Sequence, residues 1–412
     1  MSRHRPGGCC RRCRGAFGQA GGYAAERHAG GSVLAMATVV QNQALEQPLD
    51  PAWARSVRKI AVYRALFLGD LLCATPALVA LRQRFPQAEI TLIGLPWAAE
   101  LVDRLPCLDR LVEFQGYPAI EEVPYEPVRG KAFLAAMQAE QFDLAIQMHG
   151  SGCVSNGFVA ELGAGFTLGY RSDHDDDRLD RSLLYDANEH ETLRWLRLVA
   201  EVGAYTADTR LVLPTTTAEQ ERAHALLAAG AEGCGPLIGL HVGAKAASRR
   251  WPPERFAALG DALAHHYGAR LVLTGSAGER PLTAAAQAAL RSPALDVAGK
   301  TDLGTFAALV AQLDLLVTND TGASHIAAAT QTPSVVLFGP MRPQLWAPLD
   351  RQRHRVVDAL ALFPAADPQQ VLAQLSVDTV FAVCAEALAQ SGRGDRTQTE
   401  TTVTARSLVF GA

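Results

Sequence analysis

The residues best suited to chemistry in this 412-residue chain lie in three short stretches. In TNDTGASHIAAA, residues 318–329, an apolar run gives way to Asp320, Thr321 and Gly322, and Ser324 and His325 fall in the first turn of a predicted helix. Main-chain N–H groups at a helix start bind anions, and a glycine there lets a ligand come close. His325 reads either as structural or as a partner for a phosphate or for Asp320. In HVGAKAASRRWPPERF, Lys245, Arg249 and Arg250 lie between a strand end and a helix start, and Trp251-Pro252 fixes the chain directly after them. Cations and helix N–H groups converging there suit a departing diphosphate, where the plainer reading is a solvated basic loop. In RALFLGD, Asp70 reads as a helix cap or as a general base at the lip of a cleft, and this motif alone favours the cap.

Such residues need strand ends and helix starts to hold them, and the chain supplies both in alternation. VRKIAVY, EITLIG, RLVEF and FDLAIQM predict strands, interleaved with helices over LLCATPALVALRQRF, PWAAELVDRL and KAFLAAMQAE. A helix over NEHETLRWLRLVAEVGA closes this half. The alternation restarts with strands over PLIGLHVG, ARLVLTG, DLLVTN and PSVVLFG. Between them, PPERFAALGDALAHHYG predicts an amphipathic helix with Phe256, Leu259, Leu263 and Tyr267 on one side. Strands alternating with helices imply parallel βαβ units. The expectation is an α/β protein of two Rossmann-like lobes with mainly parallel sheets facing a cleft, hinged near Pro214. The lobes would span residues 57–214 and 215–390, the second including one helix over DPQQVLAQLSVDTVFAVCAEALAQ, which either belongs to that lobe or packs back across the first.

Composition narrows the function. At 49% hydrophobic residues the chain can build real cores, and a net charge of −4 gives no reason to expect nucleic acid as a partner. No apolar run reaches the length of a membrane-spanning helix, so the reading is a soluble or membrane-peripheral protein. Five cysteines are scattered singly, as small buried hydrophobes of a reducing compartment are. Cys9, Cys10 and Cys13 crowd near the start, but a zinc site would have to stretch its spacing to reach His4 or His28. Residues 1–56, rich in Arg, Gly and Ala, read as a disordered extension or an over-extended gene start, and residues 391–412 as a disordered tail. AGKT at 298–301 lacks the first glycine of a phosphate-binding loop, and no G-x-G-x-x-G occurs. The acidic run with Asp173, Asp175, Asp176 and Asp177 could mimic a metal-holding D-x-D, though a solvated surface run is the simpler account.

The motifs occur together in an order that resembles glycosyltransferase family 9, the ADP-heptose:lipopolysaccharide heptosyltransferases, from about residue 57 to residue 376. The resemblance rests on LGDLLCATPALVALRQRFP, FDLAIQMHGSG, LGAGFTLGYR, HVGAKAASRRWPPERFAAL, LTGSAGER, VAGKTDLGTFAALVAQLDLLVTNDTGASHIAAA and PSVVLFGP. It implies a GT-B fold, an inverting displacement without an obligatory metal or cofactor, and a nucleotide-sugar donor, ADP-linked heptose favoured. By matching positions, Asp70 becomes the carboxylate that deprotonates the acceptor hydroxyl. Arg249 becomes a donor-phosphate contact, in the basic loop that also carries Lys245 and Arg250. Asp320, Thr321, Gly322 and His325 become the phosphate and ribose site, and Glu279 in GSAGER a ribose contact. The implied acceptor is lipopolysaccharide core or another cell-envelope glycan or glycolipid, met in the cytoplasm or at the inner membrane's inner face. Two other classes fit the residues: a GT-B-fold nucleotide-sugar epimerase or phosphorylase, and a non-catalytic sugar-nucleotide binder in which Asp70 is only a cap. Chelator sensitivity would separate a metal site at Asp173–Asp177 from the metal-free reading.

Overall fold

The computed structural model describes residues 51–172, 178–230 and 234–390. The N-terminal cysteines, His4 and His28, the two terminal segments read as disordered, and the acidic residues 173–177 lie outside the described residues.

Twelve strands form two six-stranded sheets. The first holds β1 (Lys59–Tyr63), β2 (Glu89–Gly94), β3 (Arg110–Glu113), β4 (Leu144–Gln147), β5 (Thr167–Arg171) and β6 (Arg181–Leu184) in the order β3-β2-β1-β4-β5-β6. The second holds β7 (Leu237–His241), β8 (Arg270–Thr274), β9 (Ala294–Asp296), β10 (Leu315–Asn319), β11 (Ser334–Phe338) and β12 (His354–Asp358) in the order β12-β11-β10-β7-β8-β9. Numbered from its own first strand, each sheet therefore runs 3-2-1-4-5-6. This is the doubly wound order in which ligands sit at the carboxyl ends of the two strands flanking the reversal. In the second sheet those strands are β7 and β10, paired in parallel with His241 opposite Thr318. The reversal puts the loops that begin at Val242 and Asp320 side by side.

By their internal contacts the described residues divide into two compact units, those within 51–63 and 115–185, and those within 64–114 and 186–390. In the first unit, β4 pairs in parallel with β1 and β5, and β5 with β6. Tyr63 is buried there, stacked on His149 with ring centroids 4.9 Å apart and set edge-on to Phe158 at 4.6 Å.

The second unit carries the second sheet and its core. The strands β7, β10 and β11 are buried at every position, as central parallel strands are. Phe256, Leu259 and Leu263 of the Pro253–Tyr267 helix pack with Trp251, Leu240 and Val317, on the side that the spacing predicts. Gly268 ends that helix in the left-handed conformation at φ 62°. The predicted C-terminal helix is two pieces, a 3-10 turn over Val371–Gln374 and a helix over Val377–Gln390. Val380, Cys384 and Ala387 join the same core, so this helix belongs with the second sheet.

Candidate active site

Asp320 directly follows β10, buried at 5% exposure, with its main-chain N–H donating to Leu337 O of the neighbouring strand. Thr321 is the N-cap of the Gly322–Ala329 helix in extended geometry, yet its hydroxyl makes no cap hydrogen bond. Burial is the main influence on the Asp320 carboxyl and pushes its pKa up to about 6, with Arg249 pulling it down and Asp70 pushing it further up. Arg249 Nη1 lies 3.6 Å from Asp320 Oδ2. The guanidinium is half-exposed and lies against a buried carboxyl group.

Asp70 comes from elsewhere in the chain, at the third position of the Leu68–Arg84 helix. The N-cap of that helix is Phe67, and Asp70 Oδ2 accepts the Phe67 N–H at 3.3 Å. The cap reading and the base reading are therefore not rivals, because one carboxylate oxygen braces the helix start while the group stays at its rim. Burial acts most strongly on this carboxyl and raises its pKa, Glu191 adding to the rise, while Arg64 and the Phe67 and Asp70 N–H groups oppose it.

Gly69 lets these helix starts meet, and Gly322 comes into ordinary contact range of Leu68. A Cβ on Gly69 would lie 2.7 Å from His325 Cδ2, and one on Gly322 would lie 3.4 Å from Leu68 Cδ2. The positive ends of two helix dipoles thus face one spot that also holds Arg249. His325 lies beneath this meeting point rather than at its surface. It is buried, with Nδ1 3.5 Å from Cys73 Sγ, and desolvation followed by the nearby His190 brings its pKa down to about 4. A neutral ring wedged against Gly69 sets the spacing of the two helices.

The basic loop after β7 divides its labour. Lys245 is exposed, and its Nζ sits 3.4 Å from the centroid of the Phe67 ring, itself 49% exposed. A cation over an aromatic face is attracted by the ring's quadrupole. Arg250 turns inward, its Nε donating to Ala244 O at 2.7 Å and its Nη2 to Lys245 O at 3.1 Å, so it braces the loop that presents its neighbours. Glu279 accepts from the Ser276 N–H at 2.7 Å and hydroxyl at 2.8 Å, and its Oε1 occupies the space a Cβ on Gly243 would need. Burial works to raise the Glu279 pKa, but His241, Ser276 and Arg250 outweigh it and the net shift is downward.

Two residues important here were not singled out from sequence. Asn319 is buried, its Oδ1 accepts the Trp251 N–H at 3.0 Å, and its Nδ2 donates to Val242 O and Gly243 O at 3.1 Å each. It stitches the basic loop to the end of β10. Its signal is an amide directly before Asp320 at the end of the strand LLVTN. Phe67, the support of Lys245, was visible as an apolar residue beside Gly69-Asp70. AGKT is a turn closed on itself, with Gly299 at φ 65° and Lys300 Nζ donating to Asp296 O.

The sequence pattern of Glycosyltransferase family 9 (heptosyltransferase) matches residues 131–372. The chain belongs to this family. It is a glycosyltransferase, and its two parallel six-stranded sheets are those of the GT-B fold. The matched segment contains Lys245, Arg249, Asp320 and His325, while Asp70 precedes it. Among curated relatives, the family-9 chain is 27% identical over 305 residues to lipooligosaccharide heptosyltransferase 2 of Haemophilus influenzae, covering 69% of this chain and 84% of that one. Among solved structures it is similar to a family 9 glycosyltransferase from Veillonella parvula, with TM-score 0.69 and 19% identity over 84% of this chain and all of that one. It is also similar to the Escherichia coli ADP-heptose lipopolysaccharide heptosyltransferase II, with TM-score 0.63 and 22% identity over 81% of this chain and all of that one.

Proposed function

We propose that this glycosyltransferase moves heptose from ADP-heptose to a lipopolysaccharide-core acceptor by a single inverting displacement in which Asp70 is the general base and no metal takes part. The observation that carries the reading is the convergence of a half-buried Asp70 carboxylate, two helix N-termini and the cations Arg249 and Lys245 on one spot. The names of the relatives supply the sugar, the nucleotide and the acceptor.

In this mechanism Asp70 takes the proton of the acceptor hydroxyl as its oxygen bonds to the anomeric carbon. A carboxylate whose basicity is raised by burial is better suited to that task than a solvated one. The bond from the anomeric carbon to the diphosphate breaks on the opposite side. The charge that develops on the diphosphate is met by Arg249, by Lys245 and by the N–H groups at the start of the Gly322–Ala329 helix. Asp320 holds Arg249 in place, and Thr321, its hydroxyl not used in the cap, is a further donor to the leaving group in this reading. Glu279 is the ribose contact in this reading, held against Gly243 by Ser276. Among the described residues no helix is long and apolar enough to cross a membrane, and the acceptor would be met from the cytoplasm at the inner leaflet.

A nucleotide panel tests this reading. Thermal unfolding would be followed with ADP, UDP, GDP, CMP and their sugars, with and without EDTA, and then transfer by the Asp70→Asn variant. Stabilisation by ADP compounds alone, unchanged by EDTA, with transfer lost and donor binding kept in the variant, is the expected result. A UDP or GDP preference would remove heptose, EDTA sensitivity would remove the metal-free mechanism, and normal transfer by the variant would remove Asp70. Conversion of the donor with no acceptor present would turn the assignment to an epimerase.

A further inference from the structure

We infer that Arg64, clamped by Glu191, is a positioning residue that fixes where the Asp70 carboxylate points. The inference rests on the reading of Asp70 as the base.

Arg64 directly follows β1 and its side chain is fully buried. It commits Nε and Nη2 to one acceptor, the main-chain carbonyl of Asp70, at 2.9 and 2.6 Å. A two-pronged grip on a carbonyl fixes the peptide plane, and with it the direction in which the Asp70 side chain leaves the backbone. The same Nη2 meets Glu191 Oε1 at 3.1 Å. That oxygen also accepts Trp195 Nε1 at 2.9 Å, while Glu191 Oε2 takes Arg194. Arg194 in turn donates to the carbonyls of Asp186 and Glu189, both at 2.8 Å. The guanidinium of Arg64 lies over the Trp195 ring, 4.6 Å from its centroid.

Burying an alternating row of charges, Arg64, Glu191, Arg194, is expensive, and well-packed apolar side chains often give equal or greater stability. Packing alone therefore gives no reason for an arginine here. Two of its hydrogen bonds end on the one residue whose aim the reaction depends on. The row also places two opposite charges beneath Asp70. The charged and titratable groups that surround Asp70 are Arg64 from the loop after β1, Glu191 from the Glu191–Ala200 helix, Asp320 with its partner Arg249 from the ends of β10 and β7, Lys245 over Phe67, and the neutral pair Cys73 and His325. Of these, Arg64 lowers the Asp70 pKa and Glu191 raises it. Removing one or the other must move the titration of Asp70 in opposite directions.

The test follows the ¹³C carboxyl signal of Asp70 against pH in the full-length protein, assigned by its loss in Asp70→Asn, beside the pH profile of heptose transfer. The variants are Arg64→Met, Arg64→Lys and Glu191→Gln, each checked by urea unfolding. Arg64→Met should raise the Asp70 midpoint and Glu191→Gln should lower it. In Arg64→Met, kcat should fall by about 10²-fold, as a misplaced catalytic group costs, with KM for ADP-heptose unchanged. Arg64→Lys should restore the midpoint but not the rate, because one ammonium cannot grip the carbonyl from two sides. Should Arg64→Met fail to fold, Arg64→Lys and Glu191→Gln carry the test. A purely structural role predicts that Arg64→Lys recovers rate and stability together, and that result overturns the proposal, as does an Asp70 midpoint unmoved in both Arg64→Met and Glu191→Gln. If the wild type transfers no sugar, the functional reading falls, and the carboxyl titration still decides whether Arg64 and Glu191 govern Asp70.

Discussion

Gly69 and His325, 256 positions apart in sequence, are in van der Waals contact, so close that a Cβ on the glycine would lie 2.7 Å from the imidazole Cδ2. The imidazole is buried and cannot swing into solvent. Gly69→Ala must then push the Leu68–Arg84 helix away from the Gly322–Ala329 helix. Overpacking of this kind costs about 1–3 kcal/mol. The variant should unfold at lower urea concentration and lose turnover, because Asp70 rides on the displaced turn. Wild-type stability and rate in Gly69→Ala would show that the two helix starts are not in contact.

Asn319 tests how the basic loop is held. Asn319→Ala strands the Trp251 N–H and two carbonyls in a buried place, each an unmet group costing about 1–3 kcal/mol. Asn319→Asp keeps the acceptor but turns two donors into a repelling oxygen. Both variants should be destabilised and should bind ADP more weakly, since the loop carrying Lys245 and Arg249 loses its tie to β10. ADP affinity equal to wild type in a folded Asn319→Asp would mean that the loop is set by other contacts.

Arg249 is expected to act on donor affinity. Charge-assisted hydrogen bonds are worth about 1.5–3 kcal/mol, so Arg249→Gln should weaken ADP binding by roughly 10- to 150-fold, measured calorimetrically at low salt. It should also leave Asp320 without its partner and raise that carboxyl's midpoint above about 6, since Arg249 is the group that lowers it. Unchanged ADP affinity would remove Arg249 from the phosphate site.

Three buried histidines make the fold acid-sensitive. Burial is the leading cause that brings His190, His325 and His354 from an ordinary 6.5 to about 4. In the unfolded chain they take up protons below pH 6.5, but in the folded chain only near pH 4. Their contribution to stability is therefore full above pH 6.5 and is lost as pH falls toward 4. Asp320 works the other way, because a carboxyl raised from 3.8 to about 6 loses stability as pH rises through that window. Between pH 6 and 6.5 the histidines dominate this set. Urea unfolding should show stability rising with pH there, each group contributing at most about 1.4 kcal/mol per pH unit. His354→Asn should flatten the slope. A flat profile in the wild type would mean that these rings are solvated.

Sequence by itself determined the two alternating halves, the central strands other than β5 and the polar cluster after β10. Continuous apolar runs such as LIGLH, LLVTN and SVVLF announce strands buried on both faces, and Asp320-Thr321-Gly322 announces a loop that cannot be core. The internal strand β5 and the edge strands β6, β9 and β12 escape such a reading: a glycine interrupts the short run TLGYR, and the edge strands are short and largely half-buried, which leaves no clear period. The C-terminal helix was read as continuous because its break at residues 375–376 is marked by neither glycine nor proline.

Only the tertiary structure decided which residues meet. The pairing order of each sheet is a non-local property, and it puts the loops after β7 and β10 next to each other. The packing of the Leu68–Arg84 helix on the Gly322–Ala329 helix is non-local too. It turns a plain histidine into a spacer against Gly69. Local pattern reports what a segment becomes, because propensity and period act over a few residues. Contacts between residues 127 and 256 positions apart, such as Arg64 with Glu191 and Gly69 with His325, depend on how two helices and two strand ends are brought together, and no short window of sequence contains that information.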